Sequence, residues 1–191
     1  MRALSNKIAL STVVTTLIIL VVSVLLAGVV TMYAINITST RTQQEDLRLS
    51  KQAVWVNVTG DYSYAALTID NVGGRDVVID KIQVRGVEAN WSTVAYLRLG
   101  SSVSGSLLAP NSSYASSLPS TGFEYVSGTT GSFSTASSDI PLASGDTLVI
   151  YIKNPDSISS SDIGTTVGIT VFTENAQYYV ECNVQTSEEA S

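Results

Sequence analysis

A long uncharged stretch near the start of the chain limits the fold more than any other feature. From Ile8 to Thr40 no side chain carries a charge, and most residues are apolar. As an α-helix this stretch is roughly 50 Å long, because each residue adds about 1.5 Å. A bilayer has a hydrocarbon core of about 30 Å, and the most apolar part, Val13 to Val30, matches one crossing. The sequence therefore predicts a helix that crosses a membrane once and extends beyond it.

The flanking charges predict the orientation of this helix. Arg2, Lys7 and the amino terminus are positive and precede the apolar residues, and the next charged residue is Arg41. Positive residues are enriched on the cytoplasmic side of membrane helices. The chain from Tyr33 onward is therefore expected outside the cell.

A cleavable secretory signal fits the stretch less well than a retained helix. Secretory signals have about 7 to 15 apolar residues, followed by a small-x-small cleavage site. Here the apolar run is longer, and the candidate site around Ala27-Gly28 lies within it. The apolar run is therefore expected to remain in the protein.

The residues after the apolar run continue the helical pattern. Neither Pro nor Gly occurs between Val29 and Trp55, and Glu45 and Arg48 have helical spacing. The pattern predicts one helix from about Leu10 to Ser50, within a helical segment of residues 10–52.

Small and hydroxyl-bearing residues form a broad stripe on the apolar helix. Ser23 and Ala27, and likewise Ala27 and Thr31, make small-xxx-small pairs. Small residues allow helices to approach each other closely in a membrane. The stripe predicts packing of helix against helix, and the alternative is a plain membrane anchor that happens to contain Ser and Thr. The other members of the stripe are Ser11, Thr12, Thr15 and Thr16.

The first residues of the chain carry a family resemblance. The leader Met1–Ala9, followed by Leu10–Leu20, resembles the class III signal peptide of type IV pilins, particularly the archaeal ones. In that family a prepilin peptidase cuts a short basic leader ahead of the apolar segment. The resemblance implies that Lys7 is the basic residue near the scissile bond, that Ala9 precedes the bond, and that Leu10 becomes the new amino terminus.

Two positions differ from the wider family. Val14 occupies the fifth mature position, where many bacterial members have Glu, and Leu10 stands where an aromatic residue is usual. Both differences point to the archaeal branch. Cleavage after Ala3 is the less favoured alternative, because it would leave Lys7 in the apolar segment.

The resemblance also implies a function. Removal of Arg2 and Lys7 would allow the apolar helix to leave the bilayer and pack with identical helices. The chain would then be a structural subunit of an archaeal type IV pilus-like surface filament that polymerises with its own copies and serves in adhesion. Its partners would be the prepilin peptidase, the assembly platform with its cytoplasmic ATPase, and the membrane before assembly. Two alternatives remain open: an archaellin, which is the subunit of a motility filament, and a membrane-anchored monomeric adhesion module.

Beyond Gln52 the apolar residues alternate with a period of two, which is typical of β-strands. The alternation predicts about seven short, half-buried strands in an antiparallel, immunoglobulin-like β-sandwich over residues 53–186. The whole chain is therefore expected to be α+β, a long helix followed by a sandwich. Asn71–Asp76 is a predicted turn, and a change of apolar parity near Asp80-Lys81 predicts a β-bulge. The predicted strands contain the apolar runs that begin at Val54, Ala65, Val77, Leu148, Val167 and Tyr178.

A segment rich in Ser, Thr and Gly interrupts the sandwich at about residues 100–145. Between Ser101 and Ile140, 22 of 40 residues are of these three types, and only Glu124 and Asp139 are charged. We expect a surface excursion of loops with a short hairpin on one face of the sandwich, not another layer of the core. A loose linker is the alternative, but several large residues indicate that parts of the segment pack: Leu107, Leu108, Tyr114, Phe123, Tyr125 and Phe133. Residues 187–191 are expected to form an acidic tail.

Four N-x-Ser/Thr sequons lie beyond the membrane span, as glycosylation outside the cell requires. They are centred on Asn36, Asn57, Asn90 and Asn111. Asn36 is the weakest of the four because it lies on the helix and would be buried in a bundle. Together the sequons predict a glycosylated surface.

The composition argues against catalysis and against nucleic-acid binding. The chain has no His, which removes the commonest general base and most zinc sites. Its net charge is −6 and it has no basic cluster after the leader, which disfavours nucleic acid as a partner.

Cys182 is the only cysteine, so there is no internal disulfide. It falls on the apolar side of the alternation in the last strand, which predicts that it is buried as a small apolar residue. Asp156 and Asp162 match no calcium loop. We expect no enzyme activity, no cofactor and no metal site.

Overall fold

The computed structural model describes the backbone of residues 3–42 and 44–187 and the side chains of residues 10–39 and 44–187. The chain divides into two compact units, Met1–Gln43 and Gln44–Ser191. The first unit is one apolar helix, and the second is a mostly antiparallel, curled β-sheet domain. The predicted α+β fold is thereby confirmed.

The helix α1 runs without interruption from Ala3 to Thr42. Within it, Leu10–Ser39 is long and apolar enough to cross a membrane. The predicted extension of the helix to Ser50 is wrong, and so is the boundary at residues 52 and 53, because the first strand already begins at Leu47.

Twelve strands are assigned within the described part of the sheet domain, more than the seven predicted. They are β1 (Leu47–Asn57), β2 (Tyr62–Asn71), β3 (Val77–Val84), β4 (Val87–Glu88), β5 (Val94–Leu99), β6 (Thr121–Val126), β7 (Thr129–Ser132), β8 (Ser134–Thr135), β9 (Ile140–Leu142), β10 (Thr147–Lys153), β11 (Thr166–Thr173) and β12 (Gln177–Thr186). They hydrogen-bond in the order β4-β3-β11-β12-β1-β2-β10-β5-β8, with β9 beside β3 and with β6 and β7 as a separate hairpin. Each described pair is antiparallel except that of β1 with β12, which is parallel.

A β-bulge explains why the start of β1 is hidden in the sequence. The pairing of β1 with β2 gains one extra residue around Lys51, whose backbone is left-handed with a φ of 55°. The extra residue reverses the parity of the strand. Leu49 before the bulge therefore packs on the same core as Val54 after it, although their spacing does not fit a regular strand. Because its apolar residues do not alternate continuously, this segment has the sequence pattern of a polar helix.

The first core lies between the two halves of the curled sheet. One half contains β1, β2, β5, β8 and β10, and the other contains β3, β4, β9, β11 and β12. Residues from both halves form one hydrophobic cluster, in which Leu67, Ile79, Ile150 and Ile169 are fully buried. Two sheet faces that bury apolar residues against each other are the basis of a sandwich, as the strand pattern predicts.

A second core lies on the opposite face of β2, β5 and β10. The segment rich in Ser, Thr and Gly supplies Leu107, Phe123, Tyr125 and Phe133 to this core, where they pack with Tyr151 of β10. The ring centroids of Phe123 and Phe133 lie 5.1 and 5.4 Å from that of Tyr151. The prediction that this segment adds no core layer is therefore wrong. The short hairpin predicted within it is confirmed as β6 and β7.

Two predictions about individual strands have different outcomes. The alternation over Ala65 to Asp70 predicts a half-buried β2, but the second core covers its other face, so Ala66 is fully buried there. The predicted bulge near Asp80 is confirmed, because the register of β3 against β11 gains one residue at this position.

Candidate functional site

The exposed apolar helix is the candidate functional site. Every side chain from Leu10 to Ser39 is exposed. The large apolar residues among them are 44–69 % exposed. Soluble proteins rarely expose a continuous apolar surface of this size. Water is therefore an unfavourable environment for α1, which needs lipid or another protein surface around it.

Hydroxyl groups of α1 are bonded within the helix itself. Ser23 Oγ donates to the carbonyl of Ile19 at 2.7 Å, and Thr31 Oγ1 donates to that of Ala27 at 2.8 Å. Comparable bonds to the preceding turn are made by Thr15, Thr16 and Thr38. A hydroxyl that bonds to its own helix does not need water as a partner. The stripe is thus compatible both with lipid and with a tightly packed protein neighbour.

The three residues predicted to mediate helix packing share one exposed face. Ser23, Ala27 and Thr31 follow each other at intervals of four residues, so they lie one above the other on the helix surface. All three are exposed. They can therefore meet the side chains of a neighbouring helix.

The predicted processing site lies at the start of α1. Lys7 and Ala9 belong to the helix, but their side chains lie outside the described residues. Leu10, the expected mature terminus, is 67 % exposed. Cleavage between residues 9 and 10 stays a prediction.

Asn57 is a poor acceptor for a glycan in the folded domain. It is only 8 % exposed at the end of β1, and its Oδ1 accepts a hydrogen bond from the Gly60 backbone N at 2.6 Å. Its Nδ2 donates to the Tyr62 hydroxyl at 3.2 Å and to the Ser187 carbonyl at 3.4 Å. A glycan on this nitrogen would disturb both bonds and would have to fit a buried position. The geometry therefore argues against the glycan predicted here.

Asn90 and Asn111 offer better acceptor positions. Both are exposed, and each precedes a short 3₁₀ helix. Oδ1 of Asn90 accepts from the Ser92 backbone N at 3.0 Å, and Oδ1 of Asn111 accepts from the Ser113 backbone N at 3.2 Å. These bonds use the amide oxygen, whereas N-glycosylation modifies the nitrogen. Both positions are thus compatible with a glycan, and Asn36 is also exposed on the isolated helix.

The sequon variants should separate these sites. We expect Asn90→Gln and Asn111→Gln each to remove the mass of one glycan from the protein isolated from its own cells, and Asn57→Gln to remove none. Asn57→Gln should instead lower the free energy of unfolding by about 1–3 kcal/mol, because the Gly60 N–H and the Tyr62 hydroxyl lose a buried partner. Intact-mass measurement and denaturant unfolding check the two effects. A glycan lost from Asn57→Gln would contradict the burial argument, and a native protein without any glycan would contradict the predicted glycosylated surface.

Asp162 organises the loop that follows β10. Its Oδ2 accepts hydrogen bonds from the Ser159 backbone N at 2.9 Å and from the Ser159 hydroxyl at 2.8 Å. Its Oδ1 accepts from Arg85 Nη1 at 2.6 Å. The hydrogen bonds from Ser159, together with the Arg85 guanidinium, lower the pKa of Asp162 to about 2.

Among the described residues, no group of three or more His, Cys, Asp and Glu side chains could hold a metal ion.

Acid should release this loop. An ordinary Asp has a pKa of about 3.9. Because the pKa of Asp162 is lower in the folded state, its carboxylate stabilises the loop above about pH 4, and this contribution is lost as the pH falls towards 2. Protection of residues 157–165 from hydrogen exchange should therefore fall over this range. Asp162→Asn should show low protection of the same residues already at neutral pH. Equal protection of the wild-type loop at about pH 5 and pH 2 would contradict the assignment.

Cys182 packs against the first core but is only half-buried, whereas its position in the strand alternation predicts full burial. Burial raises the pKa of its thiol, which disfavours the reactive thiolate form.

Comparison with models of protein families and with curated proteins finds no match to this chain. The apolar helix, the basic residues that precede it in the sequence and the sheet domain are thus the basis for assigning a function.

Proposed function

We propose that this chain is a structural subunit of an archaeal type IV pilus-like surface filament and that it polymerises through α1. The observation that carries the proposal is the helix whose apolar side chains from Leu10 to Ser39 are all exposed. Because hydroxyls such as those of Ser23 and Thr31 are bonded within the helix, they stay paired when lipid is exchanged for identical helices. Close contact between small residues then stabilises the bundle, since an apolar helix is as well solvated by lipid as by another apolar helix.

The leader supports the same function. It carries Arg2 and Lys7 and precedes the apolar residues, as in the archaeal type IV pilins that it resembles. Cleavage before Leu10 would remove both charges, whose burial in an apolar bundle would be unfavourable. The mature helix would then begin with an apolar surface.

The sheet domain supports a position on the outside of the filament. It has two cores of its own, and the sequons at Asn90 and Asn111 lie in exposed loops. The domain would form a glycosylated outer shell that contacts surfaces or other cells. A prepilin peptidase and a membrane platform with its ATPase would carry out assembly, and the subunit itself would perform no chemistry.

Mass spectrometry of material sheared from the cell surface tests the proposal. The expected result is a mature amino terminus at Leu10 in the sheared fraction. A chain that keeps Met1 and remains in the membrane fraction would contradict the proposal and would indicate a permanently anchored surface module. Unimpaired swimming of a deletion strain is expected for an adhesion pilus, whereas loss of swimming would indicate an archaellin.

A further inference from the structure

We infer that the sheet domain is built to carry tension between its two chain ends, because such tension loads its first strand in shear against its last. The inference concerns only the pairing of β1 with β12, so it does not depend on filament assembly. It applies equally to a filament subunit and to a permanently anchored surface protein.

The first and last strands of the domain meet in a short parallel seam. Val54–Val56 of β1 lie opposite Val184–Thr186 of β12. Immediately after β12, the Ser187 backbone N donates to the carbonyl of Val56 at 3.0 Å. Among the described strands, this seam is the one pairing that joins the two halves of the sheet. These two halves can therefore separate from each other only if the seam breaks.

The parallel direction of the seam determines how it responds to force. In a parallel pair, the start of one strand and the end of the other lie at opposite ends of the pair. Tension that enters at the start of β1 and leaves at the end of β12 therefore acts along the strands. The hydrogen bonds of the seam then share the load and must break together. Tension applied at the starts of both strands would instead pull the strands apart and break the bonds one after another.

The seam is shielded from water on its β1 side and at Val184, whereas Gln185 and Thr186 of β12 are exposed. Val54, Val56 and Val184 are 0, 4 and 2 % exposed and belong to the first core. Trp55, between the two valines, is buried in the second core. On the β1 side, water therefore has little access to replace the hydrogen bonds as they stretch, and a broken bond would leave a buried backbone group unpaired. β1 pairs with β2 on its other side at nine residue pairs, against three in the seam, so the seam is the weaker of the two attachments of β1.

The segment just before β1 is fixed to the sheet domain as well. The Asp46 carbonyl accepts a hydrogen bond from the Gly73 backbone N at 3.0 Å, and the Glu45 carboxylate accepts one from the Thr173 hydroxyl. A Cβ at Gly73 would lie 2.7 Å from both the Asp46 N and the Gln44 carbonyl oxygen, so this close contact requires glycine. The chain therefore enters β1 from a segment, residues 44–46, that is itself fixed to the sheet domain.

Single-molecule force spectroscopy of the full-length chain in detergent tests the inference. One handle is attached at the amino terminus, and the second is attached either at the carboxyl terminus or at Glu174→Cys, both in a Cys182→Ser background. Glu174 is exposed in the turn that precedes β12, so a handle there loads the starts of both strands. We expect a rupture force that is several-fold higher with the carboxyl-terminal handle. Equal rupture forces in the two geometries would overturn the inference.

Ser187→Pro provides a second test that is specific to the seam. Proline has no N–H, so this variant lacks the bond to the Val56 carbonyl. The rupture force should fall with the carboxyl-terminal handle and stay unchanged with the handle at Glu174→Cys. Ser187→Ala keeps the N–H and should match the wild type in both geometries. If circular dichroism shows that the Ser187→Pro variant is folded and its rupture force equals that of the wild type, the seam does not carry the load. The comparison of the two handle positions does not depend on this variant.

Discussion

Ala27→Leu should abolish filaments while leaving the precursor in the membrane and the sheet domain folded. Leucine is at least as favourable as alanine in lipid, so insertion of α1 is not impaired. Its larger side chain would, however, prevent close approach at the exposed face shared by Ser23, Ala27 and Thr31. Ala27→Arg should also abolish filaments, but a charge costs about 2.5–3.5 kcal/mol at the centre of a membrane helix, so its effect mixes insertion with packing. The leucine variant therefore isolates helix packing.

Ala27→Ser is the matched control for this experiment. Serine is small, so it keeps the close approach and should assemble like the wild type. Negative-stain microscopy of sheared surface material counts the fibres, and an immunoblot of the membrane fraction measures the precursor. A normal number of fibres from cells that carry Ala27→Leu would show that this face does not mediate packing.

Tyr151→Ala should lower the free energy of unfolding of the sheet domain by about 3–5 kcal/mol. A typical domain is stable by about 5–15 kcal/mol, so this loss is a large fraction of the total. Tyr151 is fully buried in the second core, and its ring centroid lies 6.5 Å from that of Trp55. Its hydroxyl donates to the Leu108 carbonyl at 2.9 Å, and burial raises its pKa, so the donor proton is retained. The variant loses the ring and leaves that carbonyl without its partner.

Tyr151→Phe separates these two losses. It keeps the ring contacts and removes only the hydrogen bond, so we expect a smaller effect of about 1–3 kcal/mol. Denaturant unfolding of the full-length chain, followed by tryptophan fluorescence, measures both variants. A loss below about 1 kcal/mol for Tyr151→Ala would contradict the second core as part of the folded domain.

Strands in which apolar residues alternate regularly with polar ones could be predicted from the sequence. Val167, Ile169 and Val171 of β11 alternate with less buried residues, and the change of apolar parity in β3 located the bulge at Asp80 correctly. The end of α1 could not be predicted in the same way. The bulge at Lys51 conceals the alternation of apolar residues in β1. A spacing of three residues, such as that of Glu45 and Arg48, also occurs in exposed segments that are not helical. A local pattern therefore favoured the wrong structure.

The second core had only a partial signal in the sequence: large residues such as Phe123 and Phe133 indicated that parts of the segment pack, but not that they form a core layer. The hydroxyl oxygen of Tyr64 on β2 lies 2.9 and 2.7 Å from the carbonyl oxygens of Tyr114 and Ser117, and its one proton can be donated to either. These partners are about fifty residues away in sequence and lie in a segment whose average composition is that of a surface loop. A few large aromatic residues bury enough area to make that segment a core layer. These residues are visible individually in the sequence, but the average composition of the segment does not show that they form a layer.

The candidate site was more accessible to prediction than the cores. The spacing of Ser23, Ala27 and Thr31 placed them on one helix face, and the bonds from hydroxyls to the preceding turn are a regular property of Ser and Thr in helices. The sequons were visible as motifs, but the burial of Asn57 depends on Tyr62 and on the distant Ser187, so only the folded domain distinguishes it from Asn90 and Asn111.

Electron cryomicroscopy of fibres sheared from the cells that make this protein tests most directly whether α1 packs with copies of itself. The expected result is a fibre whose core consists of helices that begin at Leu10 and touch through the face containing Ala27, with the sheet domains outside. Fibres that lack this chain, or a chain that stays as single molecules in the membrane with its leader uncut, would contradict the account.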